Sequence, residues 1–341
     1  MTKLLTRSEN IRTFILEHVE KHPSDINTFT ANHFKITRQA VNRHLLRLVH
    51  EGSLSVSGRT KDRVYKLSAI TNWVEKYDID ENLAEDVVWR DDVSKILGEM
   101  PDNVKDIWHY GFTEMFNNAI DHSEGKNIIV AIKTTAATAE MMIVDDGVGI
   151  FKKIQKAINL MDERHAVLEL AKGKLTTDPE NHTGEGIFFT SRMFDKFDII
   201  SGGVYFSHSF DEEEDWILEQ GEISSRTAVW MKLSNHTART TKKIFAKFTS
   251  GDDLVFNKTV VPVKLAQYGD ENLISRSQAK RLLARVDRFK IVMFNFEGVK
   301  NIGQAFADEI FRVFQQRHPE IELIPYNTNS EIKRMIARSK G

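Results

Sequence analysis

The chain has 341 residues, 41% hydrophobic and 28% charged, with 47 basic against 49 acidic side chains and a formal charge of −2. That length and composition suit two or three domains with a real buried core, and no apolar run approaches the ~20 residues of a membrane span. The absence of cysteine excludes disulfides, thiolate metal sites and cysteine nucleophiles, and with no signal-like apolar region after Met1 the chain is expected to be soluble and cytoplasmic, with no membrane partner.

The charge is unevenly spread. Before residue 70, Lys and Arg outnumber Asp and Glu roughly two to one, which makes this end the candidate for nucleic acid. Ser8 or Asn10 can cap a helix whose apolar stripe is Ile11, Phe14, Ile15 and Val19, and Lys21-His22-Pro23-Ser24 ends it. A short helix around 30–34 follows. Thr37 then caps a longer helix with Ala40, Val41, Leu45, Leu48 and Val49 turned inward, and Glu51-Gly52 stops it. Residues 54–56 and 64–67 alternate like two strands around a basic turn at 58–63. This succession over 1–70 resembles a winged helix-turn-helix domain. Arg38, Gln39, Asn42 and Arg43 at the start of the third helix are of the types that reach base edges and phosphates of double-stranded DNA in a major groove. Arg59, Lys61 and Arg63 on the wing would touch backbone or minor groove. A basic surface for protein docking or dimerisation is the other reading of the same face.

Residues 69–82 have no clean period and read as a connection. Residues 83–97 read as a helix stopped by Gly98 to Pro101. In the next helix Phe112, Met115, Phe116, Ala119 and Ile120 form an apolar stripe, while Glu114, Asn118, Asp121 and His122 share the neighbouring face. Such a face can hold a hydrated magnesium ion through the Asn118 oxygen, with Glu114 one turn earlier placed to polarise a water for attack on a phosphate. A merely solvated polar face is the alternative. Strands at 127–133 and 140–144 follow. The second runs into Asp145-Asp146-Gly147-Val148-Gly149, where the glycines let the backbone bend close to a flat ring and the Asp145 carboxylate can accept from an exocyclic amine.

Two helical stretches, 151–160 and 163–170, lead to a loop in which Lys172 or Lys174 either reaches a triphosphate as a mobile cation or stays solvated. Thr183-Gly184-Glu185-Gly186 is a Gly-rich turn opening a helix whose free amides can receive phosphates, with Thr183 beside it. The acidic run 211–215 reads as a solvated loop. A closing strand at 225–233 has Thr227 at its entrance.

From about residue 83 to 235, these blocks in this order resemble the GHKL superfamily of ATP-binding domains. Its Glu-x-x-x-Asn-Ala motif is matched by Glu114, Asn118 and Ala119. The resemblance implies an α/β sandwich with ATP and Mg²⁺ as cofactors, Asn118 as the magnesium ligand, Glu114 as general base and Asp145 as the reader of adenine. It further implies nucleotide contacts from Asp121, Gly147, Gly149, Lys174, Thr183, Gly184, Glu185, Gly186 and Thr227, and makes residues 151–180 a lid. The chain has no Gly-x-x-x-x-Gly-Lys-Ser/Thr, which removes a Walker-type phosphate site.

From about residue 260 strands and helices alternate: strand 262–265, helix 275–289, strand 290–296, helix 302–317, strand 320–325 and helix 330–338. That pattern predicts a compact α/β domain over 255–341. Residues 294–306 are similar to the strand-to-helix turn of STAS domains, the partners of anti-sigma-factor kinases. The similarity implies a protein partner and a phosphorylatable serine at the start of the helix, where this chain has Gln304 and Ala305. A generic α/β module used to form a homodimer is the other reading. The expected whole is a winged helix at 1–70, a GHKL domain at 83–235 and a STAS-like domain at 255–341, forming a slowly hydrolysing ATP/Mg²⁺ switch that couples DNA binding to protein interaction. A serine/threonine kinase of the anti-sigma type and a transcription repressor with a structural ATP site are the alternatives.

Overall fold

The computed structural model describes residues 6–59, 62–175, 184–210, 216–219, 226–250, 255–267 and 272–340. The expected calls on Lys61 and Thr183, and on the acidic run 211–215, lie outside them.

Three helices open the chain, α1 (Arg7–His18), α2 (Ile26–Phe34) and α3 (Arg38–His50), followed by the antiparallel hairpin β1 (Leu54–Ser57) and β2 (Val64–Leu67). The cap of α1 is neither Ser8 nor Asn10. Thr6 accepts from Glu9 N at 3.3 Å while the Glu9 carboxylate takes Thr6 N at 2.7 Å, a reciprocal box that satisfies two amides the helix leaves unpaired. Thr37 caps α3 as expected. Ile15, Val41 and Leu45 are fully buried between the three helices.

A seven-stranded sheet of antiparallel pairs forms the middle, its strands in the spatial order 69–78, 127–135, 138–145, 227–234, 196–201, 204–209 and 216–219. Its first strand is β3 (Ala69–Asp78), in the stretch expected to be a connection. The sheet therefore begins before the expected boundary at 83, and only Ser68 separates it from β2. β3 is an edge strand on which Thr71, Trp73 and Tyr77 are part-buried between exposed neighbours, so its period-2 signal is faint. The short helices α4 (Glu85–Val88) and α5 (Ser94–Leu97), joined by a π-helical turn at Trp89–Val93, lead to α6 (Asp102–His122). Tyr77 donates its hydroxyl to Asp92 at 2.8 Å and ties β3 to that turn.

β4 (Asn127–Thr135) and β5 (Thr138–Asp145) form a hairpin, and α7 (Ile150–Ala157), α8 (Glu163–Lys172) and α9 (Gly186–Met193) follow. The sheet is completed by β6 (Lys196–Ser201), β7 (Val204–Ser209), β8 (Trp216–Glu219) and β9 (Thr227–Ser234). Alternation along β4, β5 and β9 buries Ile128, Val130, Ile132, Met141, Ile143, Val229 and Met231 on one face. Against that face α6 lays Trp108, Phe112, Met115 and Phe116. The turn of the β4–β5 hairpin inserts Ala137 into the core of the three N-terminal helices, and Lys232 of β9 pairs with Glu20 at 2.7 Å.

After α10 (Thr241–Phe248) and the two-residue strands β10 (Thr249–Ser250) and β11 (Val255–Phe256) comes a three-stranded parallel sheet. Its strands are β12 (Lys258–Pro262), β13 (Ile291–Asn295) and β14 (Glu322–Tyr326). β12 lies earlier than the expected 262–265, because Pro262 ends the strand and a 3-10 turn takes Val263–Ala266. Between strands run α11 (Arg276–Leu283), α12 (Gln304–Asp308) and α13 (Gln315–Arg317), and α14 (Ser330–Ser339) closes the domain. The helix expected over 275–289 stops at Leu283, since Arg285 is left-handed at φ 61° and a 3-10 turn follows. A continuous apolar core joins this domain to the layer between α6 and the large sheet. Among the described residues no helix is long and apolar enough to cross a membrane.

Candidate functional site

A cavity of about 290 Å³ opens between α6, the sheet and the segments around α7, α8 and α9. Glu114 and Asn118 sit one turn apart on α6 and both line it, because Met115, Phe116 and Ala119 face the core and fix the rotation of the helix. Asp145 ends β5 and Thr227 opens β9. The two are register partners, so their side chains enter the cavity from adjacent strands.

Gly147 N donates to Asp145 Oδ1 at 3.0 Å, and Ile150 N donates to Thr227 Oγ1 at 3.0 Å. Burial pushes the Asp145 carboxyl above its ordinary range, the bonds from Gly147 and Thr227 pull against this, and the neighbouring charge of Asp146 adds to the rise. Gly147 is needed by close approach, since a β-carbon there would run into the Ser123 carbonyl. Gly184 and Gly186 bring the start of α9 to the cavity wall. At Gly186 a β-carbon would meet the Glu114 carboxylate and push it aside, so the glycine leaves room for that carboxylate against the helix start. Tyr110 is held well above its ordinary pKa by burial and then by the charges of Glu114 and Glu185, which puts two acids beside one phenol. Burial also raises Glu185, with Lys174 opposing.

Of the residues read from sequence, Glu114, Asn118, Asp145, Gly184, Gly186 and Thr227 meet at this cavity. Asp121 does not: although its spacing of seven puts it on the helix face of Glu114, it is exposed and is no part of the lining, which Asn118, His122 and Ser123 form at that end of α6. Gly147 and Gly149 shape the turn beneath without lining it, Gly149 at φ +89° leading into α7. Glu185 stands between the two lining glycines but outside the lining itself.

The lysines turn elsewhere. Lys174, expected at the phosphates, donates to the Arg288 carbonyl at 3.1 Å and lies 5.0 Å from the Phe289 ring. Lys172 is fully buried against Glu169. Among the described residues the lysine on the cavity wall is Lys153, whose ammonium donates to the His122 carbonyl at 2.8 Å and pairs with Glu124 at 3.1 Å. Sequence reading missed it, although Ile150, Lys153 and Ile154 follow helical spacing directly after the glycine turn and all three line the cavity.

Oxygen donors dominate the polar lining, the set that suits magnesium rather than a soft metal. Among the described residues no group of three His, Asp or Glu side chains is ready to hold a metal without a ligand's help. At a nucleotide magnesium keeps several waters and takes only one or two protein oxygens, commonly carboxylates, beside the phosphates; Asn118 offers an amide oxygen for that place.

On the N-terminal unit Arg38, Gln39, Arg43 and Arg59 are exposed, and Asn42 and Arg63 are half-buried. Burial lowers the His44 pKa, and the charges of Arg12, Arg43 and Arg47 lower it further, a sign of the positive potential on this face.

Residues 278–333 match the family described as STAS-like domain of unknown function (DUF4325). The match runs from within α11 to within α14, so the C-terminal parallel-sheet domain is STAS-like, in keeping with a regulatory role through protein interaction. Gln304 begins α12 and donates to Asp308 at 2.6 Å, at the helix start where the STAS resemblance called for a phosphorylatable serine. A comparison with curated proteins finds no match.

Proposed function

We propose that the chain is an ATP-binding regulatory protein of GHKL type, in which nucleotide in the 290 Å³ cavity changes how the N-terminal and STAS-like domains present themselves to DNA and to a protein partner. One observation carries this reading. Glu114, Asn118, Asp145, Gly184, Gly186 and Thr227 come from separate segments and converge on one cavity, bringing to it acceptor carboxylates, an amide oxygen and a glycine turn. In this reading Asp145 accepts from the adenine amine, Asn118 lends an oxygen to Mg²⁺, and the amides at the start of α9 receive phosphate. When bound, Mg²⁺ supplies charge neutralisation on the phosphates. Glu114 takes the proton of an attacking water, and Gly186 leaves room for its carboxylate at that point.

The lever to the rest of the chain is physical. Leu170 and Leu175 line the cavity, while Glu169, Lys172 and Lys174 between and beside them hold the C-terminal domain. At the other end of β5 the hairpin turn sits in the N-terminal core. A nucleotide shifts such contacts only by its differential affinity for the two arrangements.

Calorimetry of ATP with and without Mg²⁺ tests the reading. The wild type binds ATP in a Mg²⁺-dependent way, and Asn118→Ala loses that dependence with its thermal unfolding unchanged. A wild type with no heat of ATP binding overturns it. Labelled ATP separates hydrolysis from the kinase alternative, since free phosphate marks the first and labelled protein the second.

A further inference from the structure

The large sheet turns one face to α6 and the cavity, and alternation turns the other outward. A sheet solvated on one side carries polar residues there, yet two adjacent rows of outward positions on this one are largely apolar. Register aligns Val74, Ala131, Met142 and Trp230 across β3, β4, β5 and β9 in the first row. The second row starts at Lys76 on β3 and aligns Ile129, Val144, Ala228 and Ile200 from β4 to β6. Val74 is 62% exposed, Met142 and Ile200 39% each and Ile129 37%, so the described residues leave the middle of the patch open. Charged rows flank it. Towards the β4–β5 turn stand Lys133, Glu140, Lys232 and Lys196, of which Lys232 already holds Glu140 at 3.4 Å and Glu20 of the N-terminal unit at 2.7 Å. At the opposite end of the strands stand Asp78, Asn127 and Asp146, with Asn127 Nδ2 donating to Asp146 at 2.8 Å, Lys76 3.6 Å from Asp78, and Arg226 beyond them at the mouth of β9.

We infer that two copies of the chain pack against each other through this face, sheet on sheet. A regular antiparallel face finds its complement in another such face about 10 Å away, with the strands within about 30° of alignment. Charge selects the orientation. A two-fold axis running across the strands lays β4 of one copy over β4 of the other and reverses the rows, so the apolar rows cover each other. Lys133 of each copy then comes between Asp78 and Asp146 of the other. An axis along the strands would instead set the lysine row on the lysine row and Asp146 beside its own copy. Size fits as well: five strands at ~4.8 Å and four rows at ~7 Å make a flat face of roughly 600 Å², near the ~800 Å² that each side of a standard interface buries. The face lies across the sheet from the cavity, so the inference stands whether or not that cavity takes ATP.

Sedimentation velocity of the full-length chain, without nucleotide and at micromolar concentration, tests it. The wild type sediments as a species of twice 39.2 kDa. Met142→Lys, at an exposed position in the middle of the patch, weakens association by roughly a hundred-fold, since each copy then buries an unpaired charge, and keeps the far-ultraviolet circular dichroism of the wild type. Val74→Lys on the edge strand does the same. Lys133→Glu weakens association roughly ten-fold, and adding Asp78→Lys restores it. Within one copy those two positions lie three rows apart, about 20 Å, so the rescue arises only between copies. A monomeric wild type gives the face to another occupant and overturns the inference, as does a dimer indifferent to both Met142→Lys and Val74→Lys. No loss with Lys133→Glu, or no rescue by the charge swap, overturns the reversed-row arrangement.

Discussion

The Lys172 ammonium lies 2.7 Å from the Glu169 carboxylate one turn earlier on α8, with both side chains buried and Arg285 Nε 3.5 Å from the same carboxylate. Lys172 also donates to the Ala284 carbonyl at 2.8 Å and the Arg281 carbonyl at 3.3 Å, capping the end of α11 from another domain. Burial holds its pKa below the ordinary lysine value while Glu169 works to restore it. Breaking such a pair strands a buried charge. Lys172→Met therefore costs about 3–5 kcal/mol of stability, read as a lowered denaturant midpoint, and Lys172→Met with Glu169→Leu recovers most of it. A loss in the single variant no larger than that of an exposed pair would mean that the lock does not hold the domains together.

Asp145 gives a pH signature with a worked sign. Its folded pKa lies above the ordinary 3.8, chiefly through burial. Between those values the folded state binds the proton more readily than the unfolded chain, so this group's contribution to nucleotide-free stability falls as pH rises through the window. Adenine reading needs the carboxylate as acceptor, so ATP affinity moves the opposite way and falls as pH drops through the raised pKa. Calorimetry down the acid limb checks it: the fall begins at a higher pH than an ordinary carboxylate gives, and Asp145→Asn, which cannot titrate, shows no such step.

The cavity was legible in sequence where one local pattern carried both fold and chemistry. Glu114 and Asn118 follow from helical spacing beside an apolar stripe, and Asp145 from a buried strand that runs into glycines. Lys172 and Lys174 misled because a Lys-Gly-Lys loop reads as solvent-exposed, and nothing local says that Glu169 and the end of α11 will enclose it. Lys153 went unread because its value lies in a contact with the distant His122 carbonyl. β3 was lost for the reason edge strands usually are: half of its surface stays wet, and its partner, β4, lies some fifty residues on.

The exposed start of α3 carries the next expectation. Arg43→Ala weakens binding to duplex DNA and lowers the slope of log affinity against log salt by about one, the share of a single phosphate contact. Arg38→Ala does the same. Fluorescence anisotropy over a salt series measures both. A wild type without salt-sensitive DNA affinity at low ionic strength would make the face a protein-docking surface.

Glu114 decides whether the nucleotide site turns over. The carboxylate is half-buried at the cavity wall, against the glycine that opens α9 and beside Tyr110, whose pKa is raised by burial and then further by the charge of Glu114. Glu114→Gln keeps the side chain's length and its polar contact with water but removes the proton acceptor. Losing a general base costs roughly 10²- to 10⁴-fold in rate, whereas ATP affinity rests on the adenine, metal and phosphate contacts and stays within about two-fold. The variant then accumulates the ATP-bound arrangement, so a nucleotide-dependent change in partner or DNA binding persists in it and decays in the wild type. Single-turnover hydrolysis on both proteins separates the cases. Equal rates remove Glu114 from the chemistry, and a wild type that binds ATP without hydrolysing it makes the site a binding switch in which Glu114 only orders water.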